Sequence, residues 1–129
     1  MQVRSIATSD LDALYRLLVA NGWAHRVGEV KDLKRVISGS QRAVVAVADD
    51  EIVGFARAIT DGISNGYVSM VVVAEQYRRR GIGQALVERL LGSEPSITWV
   101  LRAGREGAAE FFGKLGFTIS TTATERLRR

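Results

Sequence analysis

The feature that most restricts the fold of this chain is an apolar strand pattern that leads, through three arginines and a Gly-x-Gly, into a helix pattern. The segment "YVSMVVV", residues 67–73, is apolar on both faces at its end, which is typical of a central strand. From Ile82 onward, apolar residues recur at the spacing of one helical face. A helix that follows a buried strand so closely predicts a layered fold in which helices pack on a sheet.

The first half of the chain predicts one strand, two helices and a hairpin. "QVRSI" is a short strand, and Ser9 with Asp12 forms a capping box for a helix that stops at "NGW". Apolar residues at helical spacing over 30–37 predict a second helix. The apolar, β-rich run "RAVVAVADDEIVGFARAIT" predicts a hairpin that turns at Asp49 and Asp50.

The second half continues the alternation of strand and helix. After Pro95, "ITWVLR" predicts a strand, and residues 108–115 predict a helix with Gly116 as its C-cap. "FTIS" together with "TERLR" is expected to close the sheet. The predicted order is β-α-α-β-β-β-α-β-α-β, an α/β fold in a single domain over residues 1–129.

Composition excludes several kinds of site. The chain has no cysteine and a single histidine, His25, so disulfides and thiolate metal sites are excluded and we expect no metal centre. No apolar run approaches the roughly 20 residues of a membrane span, and the N-terminus lacks a signal-peptide pattern, so we expect a cytoplasmic protein without a membrane partner.

The positive charge lies in one part of the chain. Residues 1–73 contain 8 Lys and Arg against 8 Asp and Glu, whereas residues 74–129 contain 10 against 6, which accounts for the net charge of +4. An anionic ligand is therefore expected to bind to the second part. Nucleic acid is not the favoured partner, because the chain lacks the basic surface interleaved with aromatic residues that binds single strands.

Arg78, Arg79 and Arg80 precede Gly81, Ile82 and Gly83 at the predicted start of a helix. The unpaired N–H groups and positive dipole of a helix N-terminus attract anions, and glycines let phosphate oxygens approach the main chain. The segment lacks the third glycine of a dinucleotide-binding loop and the Gly-Lys-Ser/Thr ending of a P-loop. A solvated surface cluster of arginines is the alternative explanation.

With its neighbours, the pattern Arg-x-x-Gly-x-Gly at 78–83 resembles the acetyl-CoA-binding motif of the GNAT superfamily of N-acetyltransferases. "DDEIVGFARA" resembles the hairpin of that family, and "GAAEFFGKLGF" resembles its later motif. The resemblance covers roughly residues 40–120. It implies a mixed, mostly antiparallel sheet flanked by helices, and an enzyme that uses acetyl-CoA and leaves coenzyme A as product.

The resemblance also implies how the acyl donor is held. Pantetheine would pair with the backbone of Val71 and Val73, where one amide can stabilise the oxyanion while an amine attacks. The segment Arg78–Gly83 would hold the pyrophosphate. Arg79 and Arg80 can instead reach the 3′-phosphate or solvent.

The acid and base groups are less clear in this sequence. No acid lies between Gly62 and Ala74, where the family often has a glutamate, so the candidates for the base are Asp61, Glu29 and His25, with Tyr67 or Ser69 relaying through water. The usual general-acid tyrosine of the family falls at Phe112, which has no hydroxyl group. A packing role for Phe112 is the better interpretation.

The acceptor is expected at the connections "NGWAHRVGE" and "TDGISNGY". Trp23, Glu29 and Tyr67 are candidate contacts, and His25 with Arg26 makes an acidic group on the acceptor conceivable. We expect a small-molecule amine. The alternatives are a protein or peptide amine, and a degenerate acyl-CoA-binding module with little or no turnover. An added edge strand can also pair two copies into a homodimer.

Overall fold

Five strands form one mixed sheet in the computed structural model, which describes residues 1–129. The strands follow chain order in the sheet: β1 (Gln2–Ser5), β2 (Arg42–Ala48), β3 (Glu51–Thr60), β4 (Asn65–Val73) and β5 (Thr98–Val100). The first three pairings are antiparallel, and β4 with β5 is parallel. The predicted mixed, mostly antiparallel α/β sheet is thus confirmed.

Five helices accompany the sheet: α1 (Leu11–Ala20), α2 (Ala24–Val27), α3 (Val30–Ser38), α4 (Ile82–Leu91) and α5 (Ala108–Gly113). None of them combines the length and the apolar character that crossing a membrane requires. Short 3-10 turns at Thr8–Asp10 and Glu75–Tyr77 lead into α1 and into the arginine segment. The sequence patterns predicted the four longer helices and missed α2, because four residues are too few to show a helical period.

The core lies on both faces of β3. A Cβ at Gly54 would lie 2.9 Å from Leu86 Cδ1 and 3.3 Å from Ile82 Cγ2, so this face of β3 packs closely against α4. Phe55, the next residue along the strand, points to the opposite face and is fully buried. There α1 packs on β3 and contributes Leu14 and Leu18, which are also fully buried. This packing fixes where the N-terminus of α4 lies relative to the sheet.

Of two local predictions, the capping box was wrong in detail and the hairpin turn was right. The N–H of Ala7 donates to Asp10 at 2.7 Å, so Asp10 takes the capping position that was predicted for Asp12. Asp10 is buried and also accepts two hydrogen bonds from Arg4, which explains why it is held at this end of α1. The hairpin turn at Asp49 and Asp50 is confirmed: both have positive φ, 52° and 60°, as a two-residue hairpin turn requires.

The predicted closing strand is absent. α5 ends at Gly113 with Lys114 as its C-cap, so Gly116, the predicted cap, lies in the turn that follows the helix. Gly116 has φ of 95°, and the Phe117 N–H donates to the Phe112 carbonyl across this turn. Residues 118–129 then form neither helix nor strand. Ile119 and Leu127 are exposed, so this polar segment buries too little apolar surface to stabilise a further strand. The sheet therefore ends at β5.

The pairing of β4 with β5 is short, and the strands separate beyond it. Residues 65–67 pair with residues 98–100, and the indole of Trp99 packs against the backbone of Gly66. From Val68 to Val73, β4 has no strand partner on that side. A bulge opposite Ala56 interrupts the other side, with Met70 at φ of 59°. Two thirds of β4, residues 68–73, thus present a free edge in the middle of the fold.

We predict that Gly66→Ala destabilises the protein by about 1–3 kcal/mol, because the added methyl overlaps the Trp99 ring. A Cβ at Gly66 would lie 2.9 Å from Trp99 Cη2 and closer still to other ring atoms. Gly39→Ala is the control, since its Cβ would meet nothing nearer than 3.6 Å. Chemical denaturation measures the difference, and equal midpoints for the two variants would show that Trp99 does not anchor β5.

Candidate functional site

A cavity of about 770 Å³ runs along the free edge of β4 to the start of α4. One wall is β4 itself, with Val68 and residues 70–73. The end is formed by residues 77–79 and 81–84, and the opposite side by α5 and the segment after β5. Trp23, from the connection between α1 and α2, completes the lining. The cavity is an elongated cleft with an apolar strand edge along its length and a basic loop at one end.

The structure brings most of the residues predicted to hold a ligand to this cavity. The lining includes these predicted residues: Trp23, Val71, Val73, Arg78, Arg79, Gly81, Ile82 and Gly83. Arg80 is not part of the lining, and neither are the acid–base and acceptor candidates His25, Glu29, Asp61 and Tyr67. The predicted donor-binding residues thus lie around one cavity, while the candidates for proton transfer lie outside its lining.

The backbone of the loop before α4 has the conformation of an anion-binding turn. Arg79 and Gly81 have positive φ, 64° and 78°, and Arg80 between them does not. Such alternation turns successive N–H groups toward one side, where they form a concave donor site. The first-turn N–H groups of α4 add unpaired donors, and that turn contains no acidic residue.

The three arginines of this loop have three different environments. Arg78 donates from Nε to the Val73 carbonyl at 3.0 Å, which ties the loop to the end of β4. The Arg80 guanidinium lies 5.0 Å from the Tyr77 ring centroid, and the Tyr77 hydroxyl donates to Asp49 at 2.9 Å. Arg79 is exposed and lines the cavity, and unlike its two neighbours its side chain has neither a hydrogen-bond partner nor an aromatic ring beside it. Of the three arginines, Arg79 is therefore the one whose side chain is free to contact a ligand.

Gly83 marks a close approach between α4 and α5. A Cβ there would lie 3.1 Å from Phe111 Cζ and 3.7 Å from Val73 Cγ2, whereas a Cβ at Gly81 would meet nothing within 4 Å. Gly81 is thus required for its backbone conformation, and Gly83 for space. A side chain at position 83 would fill the cavity between the strand and the opposite wall.

Sequence analysis missed the basic residues on the opposite side. Arg102, Arg105 and Lys114 line the cavity, so the surplus of positive charge in the second part of the chain converges here. The Arg105 guanidinium stacks at 4.5 Å from the Trp23 ring centroid, which joins the two sides of the cleft. The only available signal was the charge surplus, because no local pattern relates residues 102–114 to the loop at 78–83.

Asp61 has a structural role in the hairpin between β3 and β4. Its carboxylate accepts backbone N–H groups of Ile63 and Ser64, each at 2.8 Å, and that of Asn65 at 3.2 Å. The Ser64 hydroxyl also donates to it. These hydrogen bonds, with the Ser64 hydroxyl first, lower the pKa of Asp61 far below its usual range. A carboxylate so stabilised is a weak base, and the geometry does not support Asp61 as a proton acceptor.

Phe112 packs among aromatic rings. It is 9% exposed, and its ring lies edge-on to Phe111 at 4.9 Å and to Phe117 at 5.7 Å between centroids. The ring also lines the cavity. This position offers an apolar surface to a ligand and no hydroxyl group.

Comparisons with known proteins agree on one family. A family model described as an acetyltransferase (GNAT) domain matches residues 39–119. The PanD regulatory factor of Salmonella typhimurium is 30% identical over 95 residues, which are 70% of this chain and 74% of that protein.

Solved structures of acetyltransferases are also similar to this chain. A GNAT family acetyltransferase from Streptococcus pneumoniae superposes with a TM-score of 0.79 at 25% identity, covering 99% of this chain and 96% of that one. An aminoglycoside 6′-N-acetyltransferase complexed with coenzyme A has a TM-score of 0.61 at 29% identity, covering 70% of this chain and 53% of that one.

We predict that Asp61→Asn lowers the melting temperature most at pH 7 and progressively less as the pH falls below about 4. Because the folded-state pKa is depressed, the contribution of the carboxylate to stability is complete above the unfolded value of about 3.9 and declines as pH falls from that value toward the folded-state pKa. Asp50→Asn is the control, since Asp50 is an exposed turn residue. Thermal denaturation between pH 2 and 7 measures both variants, and a deficit as large at pH 2 as at pH 7 would contradict the prediction.

Proposed function

Because the chain belongs to the GNAT acetyltransferase family, we propose that it transfers an acetyl group from acetyl-CoA to the primary amine of a small molecule, by direct attack of the amine. The observation that carries this proposal is the cleft that joins the free edge of β4 to the anion-binding loop before α4. A strand edge and a phosphate site in line suit a long ligand with a peptide-like arm and a pyrophosphate.

The residues present fit acetyl-CoA. A cavity of about 770 Å³ is within the range of small-molecule sites, and Gly83 leaves open a space that a side chain would fill. In our proposal the free edge of β4 near Val71 and Val73 pairs with the pantetheine arm. The loop from Arg78 to Gly83 holds the pyrophosphate, with Arg79 supplying a mobile positive charge.

The basic residues across the cleft complete the proposed donor site. Lys114 lines the cleft without an ion-pair partner and is the candidate for the 3′-phosphate, with Arg102 and Arg105 beside it once they leave Glu125 and the Trp23 ring. When bound, acetyl-CoA supplies a thioester as the acetyl donor. The chain's part is to hold its phosphates, align its arm along β4 and present backbone N–H groups where negative charge develops.

Proton transfer in this proposal depends on water. An alkylammonium of pKa about 10.4 must lose a proton before it can attack, and no acidic side chain on β4 can accept it. His25, Asp61 and Tyr67 lie outside the cavity lining, so any role for them requires a water chain. Phe112 cannot protonate the leaving thiolate. A thiol of pKa about 8.5 is nevertheless a tolerable leaving group, and solvent can supply the proton.

We predict that the protein binds acetyl-CoA with a dissociation constant on the order of micromolar and that Gly83→Glu weakens binding at least tenfold, or about 1.4 kcal/mol. The new side chain both fills the cleft and places a negative charge beside the phosphate loop. Isothermal titration calorimetry measures the affinity.

Gly39→Glu is the matched control, since it adds the same side chain at the end of α3 in ordinary contact with Arg35 and Val36. It should bind acetyl-CoA as the wild type does. Absence of acetyl-CoA binding by the wild-type protein would refute the donor site. The three arginines would then be interpreted as a solvated surface cluster.

A second candidate function is supported by two specific observations. The position of the usual general-acid tyrosine is an edge-packed Phe112, and the relative at 30% identity is a PanD regulatory factor rather than an enzyme by name. On this alternative, the chain binds acyl-CoA as a regulatory module and acts on a protein partner with little or no acetyl transfer. A protein amine as acceptor is an intermediate case.

We predict that Phe112→Tyr accelerates release of free thiol from acetyl-CoA in the presence of amines, on the order of tenfold near pH 7. The advantage should shrink as pH rises through about 8.5, because the leaving thiolate then needs no proton. Phe117→Tyr is the control, since Phe117 belongs to the same aromatic cluster but lies outside the cavity lining. Binding without thiol release in all three proteins, over a broad panel of amines, would favour the regulatory module.

A further inference from the structure

We propose that Arg57 binds a carboxylate of the acceptor, so that the acceptor is a small molecule that carries both an amine and an acidic group. This inference rests on the proposed acetyl transfer and narrows its substrate class. Arg57 lies in the middle of β3, away from the phosphate loop, and was not among the residues that the sequence singled out.

Arg57 is a half-buried charge without a charged partner. It is on the same face of β3 as Phe55, beneath the end of α3, and it takes part in none of the four ion pairs. Its Nε donates to Met70 Sδ at 3.2 Å, and one terminal nitrogen donates to Ser40 Oγ at 3.2 Å. A guanidinium has five N–H donors, so most of them remain free.

A charge in this situation is costly unless an anion compensates it. Burial lowers the pKa of Arg57, which shows that the surroundings disfavour its charged form. The partners it has, a thioether and a hydroxyl, are weak acceptors and carry no charge. Arg4 and Arg42, by contrast, each pair with a carboxylate. The burial of Arg57 and its lack of a charged partner are therefore better explained by ligand binding than by a contribution to stability.

The groups around Arg57 suit an acidic ligand. Ser69 pairs with Arg57 across the strands and Tyr67 pairs with the adjacent Ile59, so both hydroxyl groups lie on the same face as the guanidinium. No aspartate or glutamate lies on β4, and the acidic residues of β3 are limited to Glu51 at its start. One guanidinium with nearby hydroxyls and no competing acid is a carboxylate-binding arrangement.

Met70 connects this patch to the proposed donor site. Its sulfur contacts Arg57, and the residue is also part of the cleft lining along β4. The bulge at Met70 is what places one residue in both surroundings. When its carboxylate binds Arg57, a small acceptor is therefore separated from the cleft by only one residue, Met70. His25 and Arg26 on α2, the earlier candidates for an acidic acceptor, are exposed and gain no such advantage from burial.

The test compares ω-amino acids of two to six carbons with amino alcohols of the same length, which keep an amine but lack the acid. Thiol release from acetyl-CoA gives kcat and KM for the wild type, Arg57→Met and Arg57→Lys. We expect the wild type to prefer an amino acid at least about tenfold in kcat/KM, and Arg57→Met to lose that preference through KM. Arg57→Lys keeps the positive charge but loses the planar guanidinium that can bind both oxygens of a carboxylate. Its preference for amino acids should be intermediate.

Arg35→Met on α3 is the matched control, because Arg35 is exposed and its charge lies on the outer surface. It should keep the preference. Arg57→Met should melt no lower than the wild type, since an uncompensated charge is removed while the side-chain length is kept. Equal rates with amino acids and amino alcohols in the wild type, or an unchanged preference in both Arg57 variants, would overturn the proposal.

A binding measurement separates this inference from the proposed function. Calorimetry with 4-hydroxybutyrate and hexanoate, on protein saturated with coenzyme A, detects the carboxylate site without turnover. If no amine is acetylated but the wild type binds these carboxylates and Arg57→Met does not, the anion site stands and the proposed transfer fails. If the wild type binds neither carboxylate and acetylates neutral amines, the transfer stands and the role of Arg57 fails.

Discussion

The rest of the structure depends on the incomplete pairing of β4 with β5. Three residues of each strand pair, with Trp99 seated on Gly66, and beyond them the strands diverge. Complete pairing would cover the edge of β4 with another strand and leave no cleft. Separation from the first residue would leave β5 without an anchor. The short ladder therefore holds the wall of the cleft in place while keeping its main-chain groups free.

The arginines of this protein differ in the partners that surround their side chains, and those partners indicate the role of each arginine. Arg4 and Arg42 hold the fold together through carboxylates, Arg78 ties a loop to a strand, and Arg80 stacks on a tyrosine. Arg79 and Arg57 lack such partners, one at the basic end of the cleft and the other beneath α3. At Arg57, which is half-buried, an anion would stabilise the guanidinium because part of its desolvation cost has already been met in folding. Free charges are thus better indicators of binding than clustered ones.

Much of the fold could be predicted from the sequence because its helices, strands and turns have strong local sequence patterns. The apolar side chains of residues 67–73 predict the strand β4. The backbone freedom of particular residues predicts the hairpin turn at Asp49 and Asp50 and the turn at Gly116. The closing strand was predicted wrongly, since an apolar residue every few positions satisfies a strand pattern whether or not a neighbour exists to bury it. The acid–base candidates His25, Asp61 and Tyr67 lie outside the cleft lining for a related reason. The polarity of a residue and its position in a loop do not specify where that loop lies in the fold.

The sequence by itself determined the α/β class and the glycine-containing turn between β4 and α4, because these depend on contacts within a few residues of one another. Tertiary structure alone decided that Arg102, Arg105 and Lys114 line the same cleft as that turn and that Arg57 has no charged partner. It also decided that the Asp61 carboxylate accepts the N–H groups of its own turn. The physical reason is that burial and pairing of a charge depend on residues far away in the chain. Local patterns do not encode which distant residues meet, and only the packed sheet brings them together.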